Sequence, residues 1–379
     1  MRIFLLMYFA IYGGMQVYMG WKLWPVLTRP AGARWVMGGF LLLMLFGPML
    51  ARYLERAGPL TVATGIGAIA WTWMAVSLWF LAFGLVVDVW NLGAWVTGRF
   101  VPAAVAWKLS PRALVSTVGV LILAALGWGH FVQARWLKVQ RVDLTVPRLP
   151  EGRRSLTVAL VSDLHLGLYA DPGHFEKVIV RLRELNPDLI VSAGDMLDSE
   201  HGALDIPAAQ WRTLSPPLGK LAVLGNHDFY AGADASLKFH EQAGFRLLRA
   251  ERVELAPGFI VAGVDDPASH REGQNPRTDE RAALPPAAPK QTVILLKHQP
   301  RVVPDSAERF ALQLSGHSHN GQLFPFTLVI AAIYPYHYGL YELPGGAHLY
   351  VSPGTGTWGP QIRLFTTSEI TLFALTAAK

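Results

Sequence analysis

Leu156-Thr157-Val158-Ala159-Leu160-Val161-Ser162-Asp163-Leu164-His165 is the stretch that decides how the second half of this chain is read. Its apolar part, 156–161, has the length and β-branched content of a buried strand. It ends on an acid and an imidazole two residues apart. The same grammar returns downstream. The run 189–191 leads to Gly194-Asp195-Met196-Leu197-Asp198, and 221–224 leads to Gly225-Asn226-His227-Asp228. Likewise 293–296 precedes Lys297-His298, and 312–314 precedes Gly316-His317-Ser318-His319. One such cluster alone reads equally as polar residues capping a strand. A series sharing one position relative to its strands gathers carboxylates, imidazoles and an amide at strand ends, the donor set of a two-metal hydrolytic centre.

In these motifs residues 156–375 resemble the calcineurin-like metallophosphoesterase superfamily, whose signature is Asp-x-His, Gly-Asp-x-x-Asp, Gly-Asn-His-Asp/Glu, a lone His, and Gly-His-x-His. The resemblance implies an α/β domain of two packed β-sheets flanked by helices, with two divalent metal ions at strand ends. Asp163, His165, Asp195 and His319 would hold one metal; Asp195 would bridge to a second, completed by Asn226, His298 and His317. Oxygen and imidazole ligands without thiolate suit manganese, iron, cobalt or zinc, with manganese favoured. By the same resemblance His227 is the candidate general acid, and Asp228 is read as the carboxylate that orients it. Asp198 is read as an acceptor beside the site or a cap as readily as a ligand. Asp265-Asp266 is read as a loop cap.

The first part of the chain is a different material. Through residue 142 there are two acids, Glu55 and Asp88, against twelve Lys and Arg, and 11 of the 13 Trp lie there. The rest carries 25 acids and 21 bases, so the formal +6 is about +10 in front and −4 behind. Bases that flank apolar spans without clustering fit a lipid bilayer and argue against nucleic acid. Residues 3–21, 35–51, 57–87 and 113–134 are uncharged, and a spanning helix needs ~20 apolar residues. Four spans are expected, the third centred on 66–87, with Glu55 and Asp88 outside the helices. The first reads as a retained anchor, since no small-x-small cleavage site follows it. Six basic residues fall on each side of this arrangement, and Arg148, Arg153 and Arg154 tip the catalytic part to the cytoplasmic side of a bacterial inner membrane. The absence of cysteine removes any disulfide or thiolate-metal reading.

The expected organisation is therefore an N-terminal α-helical transmembrane bundle over 1–134, a linker over 135–154, and the α/β metallophosphoesterase domain over 155–379. In that domain Asp171-Pro172 opens a helix whose Phe175, Val178, Ile179, Leu182 and Leu185 share a face, and Asn186-Pro187 closes it. The runs 347–352, 361–366 and 369–375 suggest a second, more antiparallel sheet, and 266–290 a surface excursion. Residues 323–341 carry no charge but hold Pro325, Pro335 and Gly339, which argues against a fifth span. That segment reads either as core or as an amphipathic flap, with Phe324, Phe326 and the Tyr334, Tyr336, Tyr338 group at the headgroup level to receive the acyl chains of a substrate.

The opening Asp163-Leu-His-Leu-Gly, the sequence Gly316-His-Ser-His-Asn-Gly-Gln322 and the closing Arg363-Leu-Phe resemble bacterial transmembrane metallophosphoesterases similar to the UDP-2,3-diacylglucosamine diphosphatases of lipid A biosynthesis. The resemblance implies hydrolysis of a phosphodiester or pyrophosphate bond in a lipid-linked nucleotide. A tethered phosphodiesterase acting on soluble esters or cyclic nucleotides is the alternative enzyme. A non-enzymatic membrane sensor or transport protein is the second alternative. Nothing in the sequence fixes the oligomeric state.

Overall fold

The computed structural model describes residues 2–28, 30, 32–267, 277–286 and 291–378, with side chains from residue 5 onward. The chain divides into two compact units, Met1–Gly129 and His130–Lys379.

The first unit is helical: α1 (Arg2–Leu23), α2 (Ala33–Ala57), α3 (Leu60–Thr97) and α4 (Pro111–Trp128), the last opened by Ser110, whose hydroxyl accepts the Ala113 N–H. Among the described residues three helical stretches are long and apolar enough to cross a membrane: Ala33–Ala57, Leu60–Thr97 and Pro111–Gln133. α1, 22 residues long, is not in that set. Two expectations change. α3 runs 38 residues, because nothing between 60 and 97 is a helix breaker of proline's strength. Glu55 and Asp88 lie inside helices, where each meets a base: Arg52 Nη1 is 3.0 Å from Glu55, and Lys22 Nζ is 2.5 Å from Asp88. Paired charges of this kind are how ionisable groups persist in apolar helices.

Among the described residues the second unit contains twelve strands. β1 (Leu137–Val146), β2 (Ser155–Val161), β3 (Leu189–Ser192), β4 (Lys220–Ala222), β5 (Arg246–Leu247) and β12 (Ser368–Ala377) form one sheet in the order β1-β12-β2-β3-β4-β5. β6 (Glu251–Ala256), β7 (Phe259–Val264), β8 (Thr292–Lys297), β9 (Leu312–Ser315), β10 (Gly339–Glu342) and β11 (His348–Val351) form the other, ordered β10-β11-β9-β8-β7-β6. Strand parity sorts the core. Leu156, Val158 and Leu160 face the opposing sheet's Val261, Ile294, Leu296 and Leu314, while Ala159 and Val161 face the helices. Those helices are α5 (Pro172–Leu185), α6 (Asp205–Arg212), α7 (Asn226–Ala231) and α8 (Ala233–Ala243); α9 (Glu280–Ala283) and α10 (Phe326–Ile333) belong to the second sheet's side of the chain. Burial on both faces is why the central strands read as unbroken apolar runs. α5 ends as its sequence dictates, with the Asp171 carboxylate accepting the Gly173 N–H at 2.9 Å and Asn186 in the left-handed region at φ 43°.

Three expectations are corrected here. Residues 137–146, read as linker, form β1, which pairs in parallel with β12 over ten residues. The strand 369–375 lies in the first sheet, between β1 and β2, and 361–366 lies outside the strands, with Leu364 in an isolated bridge to Leu323. The second sheet is parallel across β7, β8, β9 and β11, with antiparallel strands at its edges. Of the excursion 266–290, residues 268–276 and 287–290 lie outside the described residues.

Candidate metal centre

β2, β3 and β4 are mutually parallel, as are β8 and β9, so each set delivers its following loop at one edge. Those loops carry every expected ligand. Asp163 and His165 follow β2, Asp195 follows β3, Asn226 opens α7 after β4, His298 follows β8, and His317 and His319 follow β9. Tight turns are needed to aim consecutive side chains inward, and the backbone bears the strain. Asp163, His165, Asp195, His317 and His319 all have positive φ, between 49° and 71°. That conformation costs a non-glycine residue on the order of 1 kcal/mol or more and concentrates at functional sites. Glycines give the ligands room: a Cβ on Gly225 would collide with Asp195 Oδ1, and one on Gly316 with Asp163 Oδ2.

The donors converge as two groups. In the first, His165 Nε2 and His319 Nε2 are 3.0 Å apart and His319 Nε2 is 3.4 Å from Asp163 Oδ1. In the second, His298 Nε2 is 3.0 Å from Asp195 Oδ2, and His317 Nδ1 is 2.9 Å from Asn226 Oδ1 and 3.3 Å from His298 Nε2. Asp195 links them, its Oδ2 lying 3.9 Å from His165 Nε2. The potential ligand atoms of Asp163, His165 and His319, and of Asp195, His298 and His317, lie within 4.8 Å of one another in each trio. This donor set fits divalent cations. Two imidazole nitrogens face each other at hydrogen-bond distance, and the Nδ1 atoms of His165 and His319 are buried without a hydrogen-bond partner. Buried polar atoms left this way are costly unless something else holds the rings.

Charge among these side chains follows the same division. Burial pushes His319 well below the ordinary imidazole range, helped by His165 and Arg363. Burial likewise pushes His317 down to about 3, with His298 adding to it. Both rings are thus neutral and can offer a lone pair. Burial would lower His298 as well, but Asp195 and Asp163 override it and raise the ring to about 10. Burial would raise Asp195, and His298 and His227 instead hold it below the usual carboxylate range. His298 Nδ1 donates to the Ala193 carbonyl at 2.8 Å, which fixes the ring with Nε2 toward the site.

His227 stands beside the ligands, its ring 4.7 Å from that of His165 and flanked by Tyr230 and Trp358 at 5.1 and 5.7 Å. Its expected partner is corrected. Asp198 Oδ1 lies 2.6 Å from His227 Nδ1, whereas Asp228 accepts the backbone N–H groups of Asp195 (2.8 Å), Leu197 (3.0 Å) and Gly225 (2.9 Å). The residue next in sequence points away, on the turn of α7, and ties the β3 and β4 loops together. Asp265 accepts two nitrogens of Arg249 and the Arg277 N–H, and Asp266 accepts from Gln299, so this pair holds loops as read.

Two further residues bear on the ligands. Tyr334 Oη is 3.0 Å from His317 Nε2 and so takes the nitrogen opposite Asn226. Arg363 is fully buried; its Nη2 donates to the carbonyls of Pro353, Gly354 and Gly356 at 2.9, 3.3 and 2.6 Å. Gly356 in turn donates to the Asp163 carbonyl at 3.0 Å. Burial lowers Arg363 to about 10, against Asp163 and Glu369, so it stays cationic behind the first group. Arg363 is legible as part of a motif but its role is not; Tyr334 is legible as part of the flap's tyrosine group, and its contact with His317 has no signal in the sequence. Phe324 packs on Phe365 at 5.6 Å, and Phe326 opens α10 with 40% of its surface exposed.

A family model of the calcineurin-like phosphoesterases matches residues 156–321. A protein of Aquifex aeolicus described as an uncharacterized metallophosphoesterase is 36% identical over 258 residues, spanning 68% of this chain and 98% of that one. The chain belongs to the calcineurin-like metallophosphoesterases. A zebrafish (Danio rerio) transmembrane protein with metallophosphoesterase domain is 32% identical over 293 residues, 74% of this chain and 66% of that one. Among solved structures, the NAD nucleotidase of Haemophilus influenzae aligns with a TM-score of 0.36 at 17% identity, over 54% of this chain and 46% of that one. Membership makes this chain a metal-dependent phosphoesterase with apolar helices ahead of its catalytic domain.

Proposed function

We propose that this metallophosphoesterase hydrolyses a phosphodiester or pyrophosphate bond of a lipid-linked substrate, such as UDP-2,3-diacylglucosamine, at a dinuclear centre. Asp163, His165, His319 and Asp195 would hold one divalent ion, and Asp195, Asn226, His298 and His317 the other. When bound, such a pair supplies a hydroxide at neutral pH and offsets charge on the phosphoryl oxygens. The chain's own residues do the rest. Asp195, kept ionised by the imidazoles around it, is the shared anion. His227, aligned by Asp198 through Nδ1, has Nε2 as its proton-carrying atom and protonates the leaving oxygen.

The observation that carries the lipid part is the Tyr334–His317 contact. It puts the end of α10, an apolar helix with exposed Leu328 and Ile333, one hydrogen bond from a metal ligand. An acyl chain and a phosphate can then be bound by neighbouring surfaces. Multi-pass insertion in a bacterial inner membrane with a cytoplasmic catalytic domain is part of the same reading, and rests on the basic residues around the spans. The test is turnover of UDP-diacylglucosamine by the purified full chain with Mn²⁺, beside bis(4-nitrophenyl) phosphate and cyclic nucleotides. A clear kcat/KM preference for the lipid nucleotide is expected. Equal or better use of soluble esters would replace this reading with that of a tethered general phosphodiesterase.

A further inference from the structure

α10 is built against the usual rule for a soluble domain. Its sequence is Phe-Thr-Leu-Val-Ile-Ala-Ala-Ile, and of these side chains only Ile330 is buried. Leu328 is 62% exposed, Ile333 63%, Val329 45% and Phe326 40%. Phe365, 70% exposed, extends the patch through its contact with Phe324. Single exposed apolar residues need no explanation, but a contiguous helix face of them marks a surface that water does not cover in use.

The helix is also firmly held. At its start the Phe324 N–H donates to the Leu364 carbonyl at 3.0 Å, and a Cβ on Gly321 would lie 2.6 Å from Thr327 Cα, so α10 presses directly on the turn that carries His319. At its end Tyr334 reaches His317. A patch fixed at both ends to the metal loops is not a fraying segment.

We infer that α10, with Phe365, seats in the bilayer surface, holding the mouth of the metal centre at the depth where a lipid phosphate lies. This rests on the lipid-substrate reading above. Three observations favour a lipid surface over a protein partner. No charged residue occurs between 323 and 341, whereas protein interfaces commonly anchor on Arg beside their aromatics. Phe326, Leu328 and Phe365 make up the exposed patch, and Phe and Leu are the residues with which interfacial helices enter the headgroup region. And only Ala134–Trp136 lie between the apolar stretch Pro111–Gln133 and β1, so the first strand of this domain begins within a few residues of a candidate span.

The chain has no cysteine, which makes the test direct. Leu328→Cys and, as a control, Ile206→Cys (62% exposed on α6) are labelled with nitrobenzoxadiazole in the full chain, reconstituted in phosphatidylglycerol/phosphatidylethanolamine nanodiscs. The label at 328 is expected to emit to the blue of that at 206 and to be quenched by nitroxide lipids. Emission at 328 as water-like as at 206 overturns the inference. So does shielding without lipid quenching, which would indicate a second copy or another protein over the patch. Lipid-nucleotide turnover in the same discs reports separately. A water-exposed label with turnover intact rejects the seating of α10 alone, and a lipid-quenched label without turnover rejects the substrate reading alone.

Discussion

Asp198 Oδ1 sits 2.6 Å from Nδ1 of His227, although 29 residues separate the two in sequence. A carboxylate so placed fixes the tautomer and the orientation of the ring. Asp198→Asn is expected to cut kcat on poor leaving groups about 10–100-fold, the usual effect of removing such a partner, with metal content unchanged. Asp228→Asn should act differently, because it turns an oxygen that accepts backbone N–H groups into a donor. A loss of about 1–3 kcal/mol of stability is expected, read as a fall in Tm and in metal occupancy together. Equal kinetic defects without destabilisation in both variants would contradict the division of roles.

His227→Ala should retain its metals and lose about 10²–10⁴ in rate on alkyl esters. With a nitrophenolate leaving group, which needs little protonation, the loss should be much smaller. Steady-state kinetics on the two substrates, with metal content measured in parallel, decides it. The same defect on both would remove His227 from the role of acid.

Metal loading should be proton-linked. Asp195 and Asp163 raise His298 from 6.5 to about 10, so a cation taken at Nε2 would have to expel its proton. Apparent Mn²⁺ affinity is expected to rise roughly tenfold per pH unit up to about pH 10, with close to one proton released in calorimetry. A folded pKa above the unfolded one contributes stability that is complete below 6.5 and is lost as pH climbs through about 10. EDTA-treated protein should therefore lose Tm over that window while loaded protein does not. Asp195→Asn, which on the proposed arrangement removes the shared anion, should abolish both metal binding and this pH dependence.

Replacing Phe324 and Phe326 with Ser should raise KM for a lipid substrate and spare a soluble diester. Phe326 is exposed at the head of α10, and Phe324 supports Phe365 within the same patch. Decline on both substrates with a lowered Tm would mean that the pair only packs.

The sequence by itself determined the chemistry of the centre and the strands that present it. Asp163, His165, Asp195, Asn226, His298, His317 and His319 each follow an apolar run, and burial on both faces of β2, β3, β8 and β9 leaves those runs unbroken. It also fixed α5, whose Asp171 and Asn186 caps act within a few residues of themselves. Tertiary structure decided what depends on distance in space. β1 reads as a linker because an edge strand with Lys138, Gln140, Arg141 and Asp143 is half solvated and pairs only with residues more than 200 positions later. β12 joins the first sheet for the same reason, a long-range pairing that no local pattern encodes. His227 is oriented by Asp198 rather than by its neighbour Asp228, since adjacent residues on a helical turn point about 100° apart while two strand-end loops can bring distant side chains face to face.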